Sequence, residues 1–199
     1  MCLVLGTPGS GCTTFLKAIA NERKDYYHIG GDVRYAGIDS KEMAKTYKGE
    51  LVYNAEGVSP ACYSGLLLPP TPSVADDIHI PTLTVGQTLD FALSTKTPGS
   101  KGRLPGISRS EFNASVKNML LTMLNIGHTE STLVGDSFVR GVSGGERKRV
   151  SIAEMMTTRA RIQCWDNSSR GLDASTALDF VRSLRIMTDV LGQTTFAAL

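Results

Sequence analysis

Long hydrophobic runs are missing from this sequence of 199 residues. No apolar stretch approaches the roughly 18 residues that a membrane-spanning helix needs. The opening Cys2-Leu3-Val4-Leu5 lacks the basic flank and the apolar stretch of about seven residues that a signal peptide has. From these residues alone we expect a soluble and untargeted segment.

A metal-ligand cluster and a strong charge excess are missing as well. The four cysteines form no C-x-x-C pair, and the three histidines lie apart, which predicts a reduced cytosolic chain without a zinc site. Twenty-one basic against 19 acidic residues give a formal charge of +2. That is too little for a nucleic-acid-binding stripe or a polybasic membrane surface, so nucleic acid is not expected as a partner.

What the sequence does have is an alternation of apolar strands and helices. Predicted strands at 2–5, 51–53, 162–165 and 194–199 alternate with helical segments, whereas the middle of the chain is helical. This pattern predicts an α/β fold with a mostly parallel sheet and an inserted helical subdomain. Three residue pairs have the spacing of a helix-starting capping box. They are Asp39 and Glu42, Thr84 and Gln87, and Ser108 and Glu111.

Residues 57–75 do not fit this alternation. The 19 residues contain no charge, four of the eight prolines and neither helical nor strand periodicity. Structureless loops of that length are uncommon inside compact domains. Two interpretations stay open, a surface loop specific to this protein and translated non-coding sequence such as a retained intron.

A glycine-rich turn joins the first strand to the first helix. It matches the phosphate-loop pattern G-x-x-x-x-G-K-[ST] except that Cys12 replaces the lysine. Backbone N–H groups of such a loop and the positive end of the following helix bind phosphate, and the Thr13 hydroxyl can reach Mg²⁺. The candidate nucleotide-binding residues are Gly6, Thr7, Pro8, Gly9, Ser10, Gly11, Cys12, Thr13 and Thr14.

The missing lysine removes a cation that would bridge the outer phosphates. Such a charge-assisted contact contributes roughly 1.5–3 kcal/mol and belongs to the clamp on the transferred phosphoryl group. We therefore expect weakened nucleotide affinity and a still weaker catalytic step.

A second anion site is predicted at another helix start, where a serine and two glycines leave backbone amides bare. This segment comprises Val142, Ser143, Gly144, Gly145 and Glu146. Two phosphate sites about 130 residues apart in one domain make sense if two domains each supply one wall of a nucleotide site. Downstream lie an apolar strand ending at Asp166 and the tripeptide Gly171-Leu172-Asp173.

The order of these four motifs resembles the nucleotide-binding domain of ATP-binding-cassette (ABC) proteins, a P-loop NTPase of RecA-like architecture. The resemblance implies that Asp166, with Thr13, serves Mg²⁺ and that residues 142–146 are a signature loop closing over the nucleotide of the opposite domain. It also implies that Gly171, Leu172 and Asp173 form the D-loop.

Three departures from the ABC pattern narrow the resemblance further. They are Cys12 for the lysine, Asn167 where a general-base glutamate would follow Asp166, and Glu56 at the position of the Q-loop glutamine. With the run Cys164-Trp165-Asp166-Asn167, these residues resemble the first nucleotide-binding domain of fungal pleiotropic-drug-resistance transporters. In that family Glu56 would continue directly into Asp76, which makes residues 57–75 look inserted.

This resemblance implies a domain that couples ATP binding and hydrolysis to efflux of hydrophobic drugs or lipids. Its implied partners are a second nucleotide-binding domain and transmembrane domains, at the cytosolic face of a membrane, the plasma membrane for the parent pump. Since an Asn167 amide cannot act as a base, the domain's own site should occlude Mg-ATP without fast turnover. The signature loop would serve the partner site in trans.

The predicted organisation is a P-loop ATPase core at 1–56 and 136–199, the atypical insert at 57–75 and the helical subdomain at 76–135. We expect the chain to be a fragment, incomplete at both ends. Two other functions stay open, a non-catalytic ATP-binding regulatory domain and a soluble ABC-type ATPase.

Overall fold

The computed structural model describes residues 1–24, 26–55, 79–103 and 105–198. Its strands are β1 (Cys2–Val4), β2 (Arg34–Tyr35), β3 (Ile38–Asp39), β4 (Leu51–Asn54), β5 (Ile162–Asp166) and β6 (Thr194–Ala198). Its α-helices are α1 (Cys12–Ile19), α2 (Ser40–Thr46), α3 (Val85–Lys96), α4 (Arg109–Met123), α5 (Gly144–Thr157) and α6 (Ala174–Leu191). Short 3₁₀ turns lie at Ser100–Gly102 and Gly127–Thr129.

The main sheet is parallel throughout its four strands. Its order is β1-β6-β5-β4, with Cys164 of β5 opposite Phe196 of β6 and Tyr53 of β4. Parallel neighbours need crossover connections, and α1, which follows β1, packs on β5 and β6. The predicted α/β class with a mostly parallel sheet is confirmed.

The chain divides into two compact units. The described residues of the first unit are 1–24, 26–55, 159–170 and 184–198, and they hold the whole parallel sheet. Its core forms where α1 packs on the sheet, through buried Leu16, Ala20, Cys164 and Ala198. This packing fixes the direction in which α1 points its first turn.

The second unit holds described residues 79–103, 105–158 and 171–183. In it α3 packs against α4 and α5 through buried residues such as Val85, Leu89 and Val150. Within the described ranges, no helix combines the length and the hydrophobicity that crossing a membrane requires.

All three predicted helix starts agree with the structure, and two of them carry the complete capping box. Thr84 with Gln87 and Ser108 with Glu111 form complete capping boxes at α3 and α4. At α2 the Asp39 side chain accepts from the Lys41 amide at 2.9 Å, one position before the Glu42 amide that the predicted box would use. The Asp39 carboxylate thus satisfies one of the backbone amides at the start of α2, as an N-cap side chain does.

Candidate functional site

The glycine loop between β1 and α1 has the backbone of a phosphate cradle. Gly9 and Gly11 adopt φ of 84° and 92°, values that side chains strain to reach, and the Ser10 amide donates to the Thr7 carbonyl at 2.9 Å. Gly11 is the N-cap of α1, and no side chain caps it. The first backbone amides of α1 therefore form the positive end of the helix dipole, and no N-cap side chain accepts a hydrogen bond from them.

The first position of the loop, Gly6, has no room for a side chain. A Cβ on Gly6 would come within 2.7 Å of the Cys12 Sγ and would also collide with the Ser10 hydroxyl. The loop thus folds back over its own beginning, which brings its backbone around one space.

That space is a cavity of about 570 Å³, the size of a small-molecule site. The predicted phosphate-loop residues 6–14 all line it, and Asn167 lies on its wall. The remaining lining residues are Val4, Arg170 and Ala198. The cavity lies within the first unit, so the loop and the residue after β5 come together although 150 residues separate them in sequence.

Asp166 ends β5 as a buried carboxylate, with 3% of its surface exposed. The Tyr53 hydroxyl donates to its Oδ2 at 2.7 Å, whereas the buried Oδ1 has no hydrogen-bond partner in the described part of the chain. Burial, and then the bond to Asp166, raises the pKa of Tyr53 well above its ordinary value, so this hydroxyl stays a donor. One oxygen of Asp166 is left for a cation or a water bound to it, which fits a magnesium ligand.

Asn167 begins a turn that the sheet anchors. Its backbone has φ 46°, a left-handed conformation that asparagine tolerates well, and its amide donates to the Ala198 carbonyl at 3.0 Å. The next residue, Ser168, is fully buried and accepts a bond from Asn54 Nδ2 at 3.0 Å. The predicted base position is thus held firmly at the cavity, but with an amide and not a carboxylate.

The predicted signature residues lie at the start of α5, in the second unit. Ser143 is the N-cap and accepts from the Glu146 amide at 3.3 Å, while the Glu146 carboxylate accepts from the Ser143 amide and hydroxyl at 2.8 Å each. These bonds, with His128 Nε2 at 3.0 Å from Glu146 Oε1, lower the pKa of Glu146. The amide of buried Val142 donates to the Leu133 carbonyl at 3.0 Å.

Ser143 and Glu146 thus form a complete capping box, with the same spacing as the pairs that begin at Thr84 and Ser108. The segment was interpreted as bare amides, and Gly144 and Gly145 do carry no side chain there. The structure adds an internal carboxylate at that helix end.

The three predicted D-loop residues directly precede α6. Gly171 has φ 84°, Leu172 is half-buried, and Asp173 accepts bonds from the Thr176 amide at 3.2 Å and the Thr176 hydroxyl at 2.5 Å. Those bonds lower the pKa of Asp173. The predicted Q-loop residue Glu56 and the insert at 57–75 lie outside the described residues.

Two residues at the site were not foreseen, Tyr53 on Asp166 and Arg170 on the cavity wall. Tyr53 is 113 positions from Asp166, and no local pattern connects them. Arg170 directly precedes the D-loop glycine, and its place on the wall depends on the turn after β5.

Comparison with known proteins gives three findings. The sequence profile described as "ABC transporter" matches residues 1–170. The chain is 57% identical to "ABC multidrug transporter I" and 50% identical to "ABC multidrug transporter atrF", both of Aspergillus fumigatus. Both matches cover the whole chain but only 12% and 11% of the two proteins, so the chain spans about an eighth of their length.

Among solved structures, the dimeric post-hydrolysis state of the ATP-binding cassette MJ0796 bound to ADP and Pi resembles the chain. The match has a TM-score of 0.64 and 18% sequence identity, and it covers all of this chain and 73% of the other. At this identity the likeness concerns the fold, which agrees with the predicted P-loop NTPase architecture.

Proposed function

The chain belongs to the ABC transporter family, and from that premise we propose that it is the ATP-binding domain of a pleiotropic-drug-resistance type transporter. Such a domain couples ATP binding and hydrolysis to the efflux of hydrophobic drugs or lipids across a membrane. The observation that carries the proposal is the cavity walled by residues 6–14, with uncapped α1 amides at its edge. This is the chemistry that holds the phosphates of a nucleotide.

Thr13 and Asp166 are the proposed holders of Mg²⁺. No three His, Cys, Asp or Glu side chains cluster within the described residues, so a cation here would draw further ligands from waters and phosphates, as Mg²⁺ commonly does. The free Oδ1 of Asp166 fits that role. When bound, the ion neutralises charge between the outer phosphates.

The domain's own turnover is proposed to be slow. Cys12 brings no cation to the phosphates, and the Asn167 amide cannot take a proton from attacking water. A positioned base contributes typically 10²–10⁴-fold to such a reaction. Binding by backbone amides does not depend on either residue, so the site should still bind and occlude Mg-ATP although it has lost fast hydrolysis.

The signature segment is proposed to act on a nucleotide held by a second nucleotide-binding domain. Ser143 Oγ and the amides of Gly144 and Gly145 would face that phosphate group. Because the Glu146 carboxylate now accepts from Ser143, a bound phosphate would compete with it for the same donors. Residues 171–173 would serve as the D-loop, and Glu56 would hold the Q-loop position.

The other proposed partners are transmembrane domains of the parent transporter, with the domain at the cytosolic face of a membrane, the plasma membrane in our proposal. Hydrophobic drugs or lipids would bind those domains and not this one. Cys12 and Asn167 also favour a second candidate, a regulatory domain that binds ATP and never hydrolyses it. The two differ in whether Ser143 matters for turnover at a partner site.

The test uses the cysteines of the chain in the full-length protein. Cys12 lines the cavity, so Mg-ATP should slow its alkylation by N-ethylmaleimide, measured for each cysteine by peptide mass spectrometry. Exposed Cys2 on β1 does not line the cavity and is the matched control, since its rate should not change.

Buried Cys164 reports whether the unit stays folded. Burial raises the pKa of its thiol to about 12, and it should stay unmodified until the unit opens. Equal alkylation of Cys12 with and without Mg-ATP, while Cys164 stays protected, would show that the cavity does not take the nucleotide.

A further inference from the structure

The cavity is nearly without charged side chains. Among the described residues that line it, Arg170 is the only one with a charge. Its other walls are glycines, hydroxyls, the Cys12 thiol, the Asn167 amide and apolar atoms. A nucleoside triphosphate carries several negative charges, and the position that should supply the opposing cation holds Cys12.

The backbone of Arg170 is held in place by buried anchors. Its amide donates to the Asn167 carbonyl at 3.0 Å and closes the turn after β5. The turn is tied to the sheet at the Ala198 carbonyl and, through fully buried Ser168, to Asn54. The Cα of Arg170 is therefore held at the cavity wall, and the residue is exposed.

We propose that Arg170 supplies the phosphate-binding cation that the loop lacks, so that the guanidinium contacts the outer phosphates of the bound nucleotide. This inference rests on the proposed function of the cavity. Arginine is always charged and presents several donors in a planar fork that matches phosphate oxygens. It approaches from the turn after β5, whereas a loop lysine would approach from α1, so it can bind the phosphates without restoring the lysine's place in phosphoryl transfer.

The experiment measures nucleotide binding in the full-length protein by protection of Cys12 from alkylation. The half-protecting concentrations of ATP, ADP and AMP are compared in wild type, Arg170→Gln and Arg170→Lys. Arg161→Gln is the matched control, since Arg161 is an exposed arginine at the other end of β5 and does not line the cavity.

We expect Arg170→Gln to raise the half-protecting ATP concentration about tenfold or more, because a hydrogen bond to a charged group is lost. The effect on AMP should be small, so the preference for ATP over AMP falls. Arg170→Lys keeps the charge but not the planar fork and should recover part of the affinity, and Arg161→Gln should behave as wild type.

The readouts separate the inference from the function on which it rests. If ATP does not protect Cys12 in wild type, the proposed function itself is wrong. If ATP protects wild type and Arg170→Gln equally, with the same preference over AMP, Arg170 is not the phosphate cation. A loss equal for ATP and AMP, or one not recovered by lysine, would assign Arg170 a structural role and overturn the inference; Cys164 alkylation shows whether a variant has simply unfolded.

Discussion

The two helix starts with predicted anion sites differ in how their amides are satisfied. At α1 the N-cap is Gly11 and no side chain caps the helix, so its first amides have no capping acceptor. At α5 the N-cap is Ser143, and the Glu146 carboxylate closes a complete capping box over it. Both starts carry the positive end of a helix dipole.

The difference teaches that a glycine-rich helix start is not always an open anion site. The α1 start can receive phosphate directly, whereas at α5 a phosphate must compete with a carboxylate already in place. A site that needs displacement of an internal group suits a contact made only on closure by a partner domain. A site that needs none suits a resident nucleotide.

The largest effect of a single substitution is expected at the start of α5. Ser143→Arg would place a large cation where the partner's nucleotide should dock and should abolish drug efflux by the parent transporter. Ser108→Arg is the control, because Ser108 forms the same capping box at α4 and lies outside every predicted site. Efflux measured in cells that express equal amounts of both variants checks this; unchanged efflux with Ser143→Arg would contradict the trans role.

At the start of α1, adding a single methyl group at Gly11 should disturb the backbone of the phosphate loop. Gly11→Ala forces a side chain into φ 92°, which costs roughly 1–2 kcal/mol, and should lower ATP affinity about tenfold as the loop turns away from it. Gly99→Ala, at φ −59° with open space around it, should leave ATP affinity unchanged. Cys12 protection gives both affinities, and an unaltered affinity in Gly11→Ala would show that this backbone conformation is not needed.

The proposed Mg²⁺ ligand Asp166 has its own test. Tyr53→Phe leaves the buried Asp166 Oδ2 without its donor and should lower the free energy of unfolding by about 1–3 kcal/mol. The urea concentration at which Cys164 becomes alkylated measures it. Exposed Tyr27→Phe should show no shift, and an equal shift in both would mean that the Tyr53 bond contributes nothing specific.

The smallest effect concerns the charge that fills the α5 start. The hydrogen bonds from Ser143 hold the pKa of Glu146 in the folded protein below its ordinary value, so the stabilisation is fully present above the ordinary pKa and is lost as pH falls through the lowered one. Glu146→Gln should lower stability by less than about 1 kcal/mol near pH 7, since glutamine can close a capping box as well.

The thermal unfolding midpoint of wild type and Glu146→Gln, compared from pH 7 to pH 3, checks this dependence. The gap between them should close toward the acid end. A gap in the unfolding midpoint that does not depend on pH would show that the carboxylate charge does not stabilise the helix start. The control in the opposite direction is Gln87→Glu, which adds a carboxylate to the α3 capping box.

The sequence predicted what depends on local pattern. Strand alternation predicted the parallel sheet, and residue spacing predicted the capping boxes at Thr84 and Ser108. The same spacing at Ser143 indicates a capping box as well, but the two glycines that follow it favoured the interpretation as an open anion site. Tyr53 and Arg170 could not be predicted, since their places at the site come from strand pairing and from a turn anchored by buried side chains.

The central claim is that the cavity of residues 6–14 binds a nucleoside triphosphate that this domain hydrolyses slowly. The most direct measurement is a cryo-electron-microscopy structure of the full-length transporter incubated with Mg-ATP under turnover conditions. We expect density for an intact triphosphate against this loop, even if a partner site has turned over. An empty cavity, or one holding only the diphosphate, would contradict it.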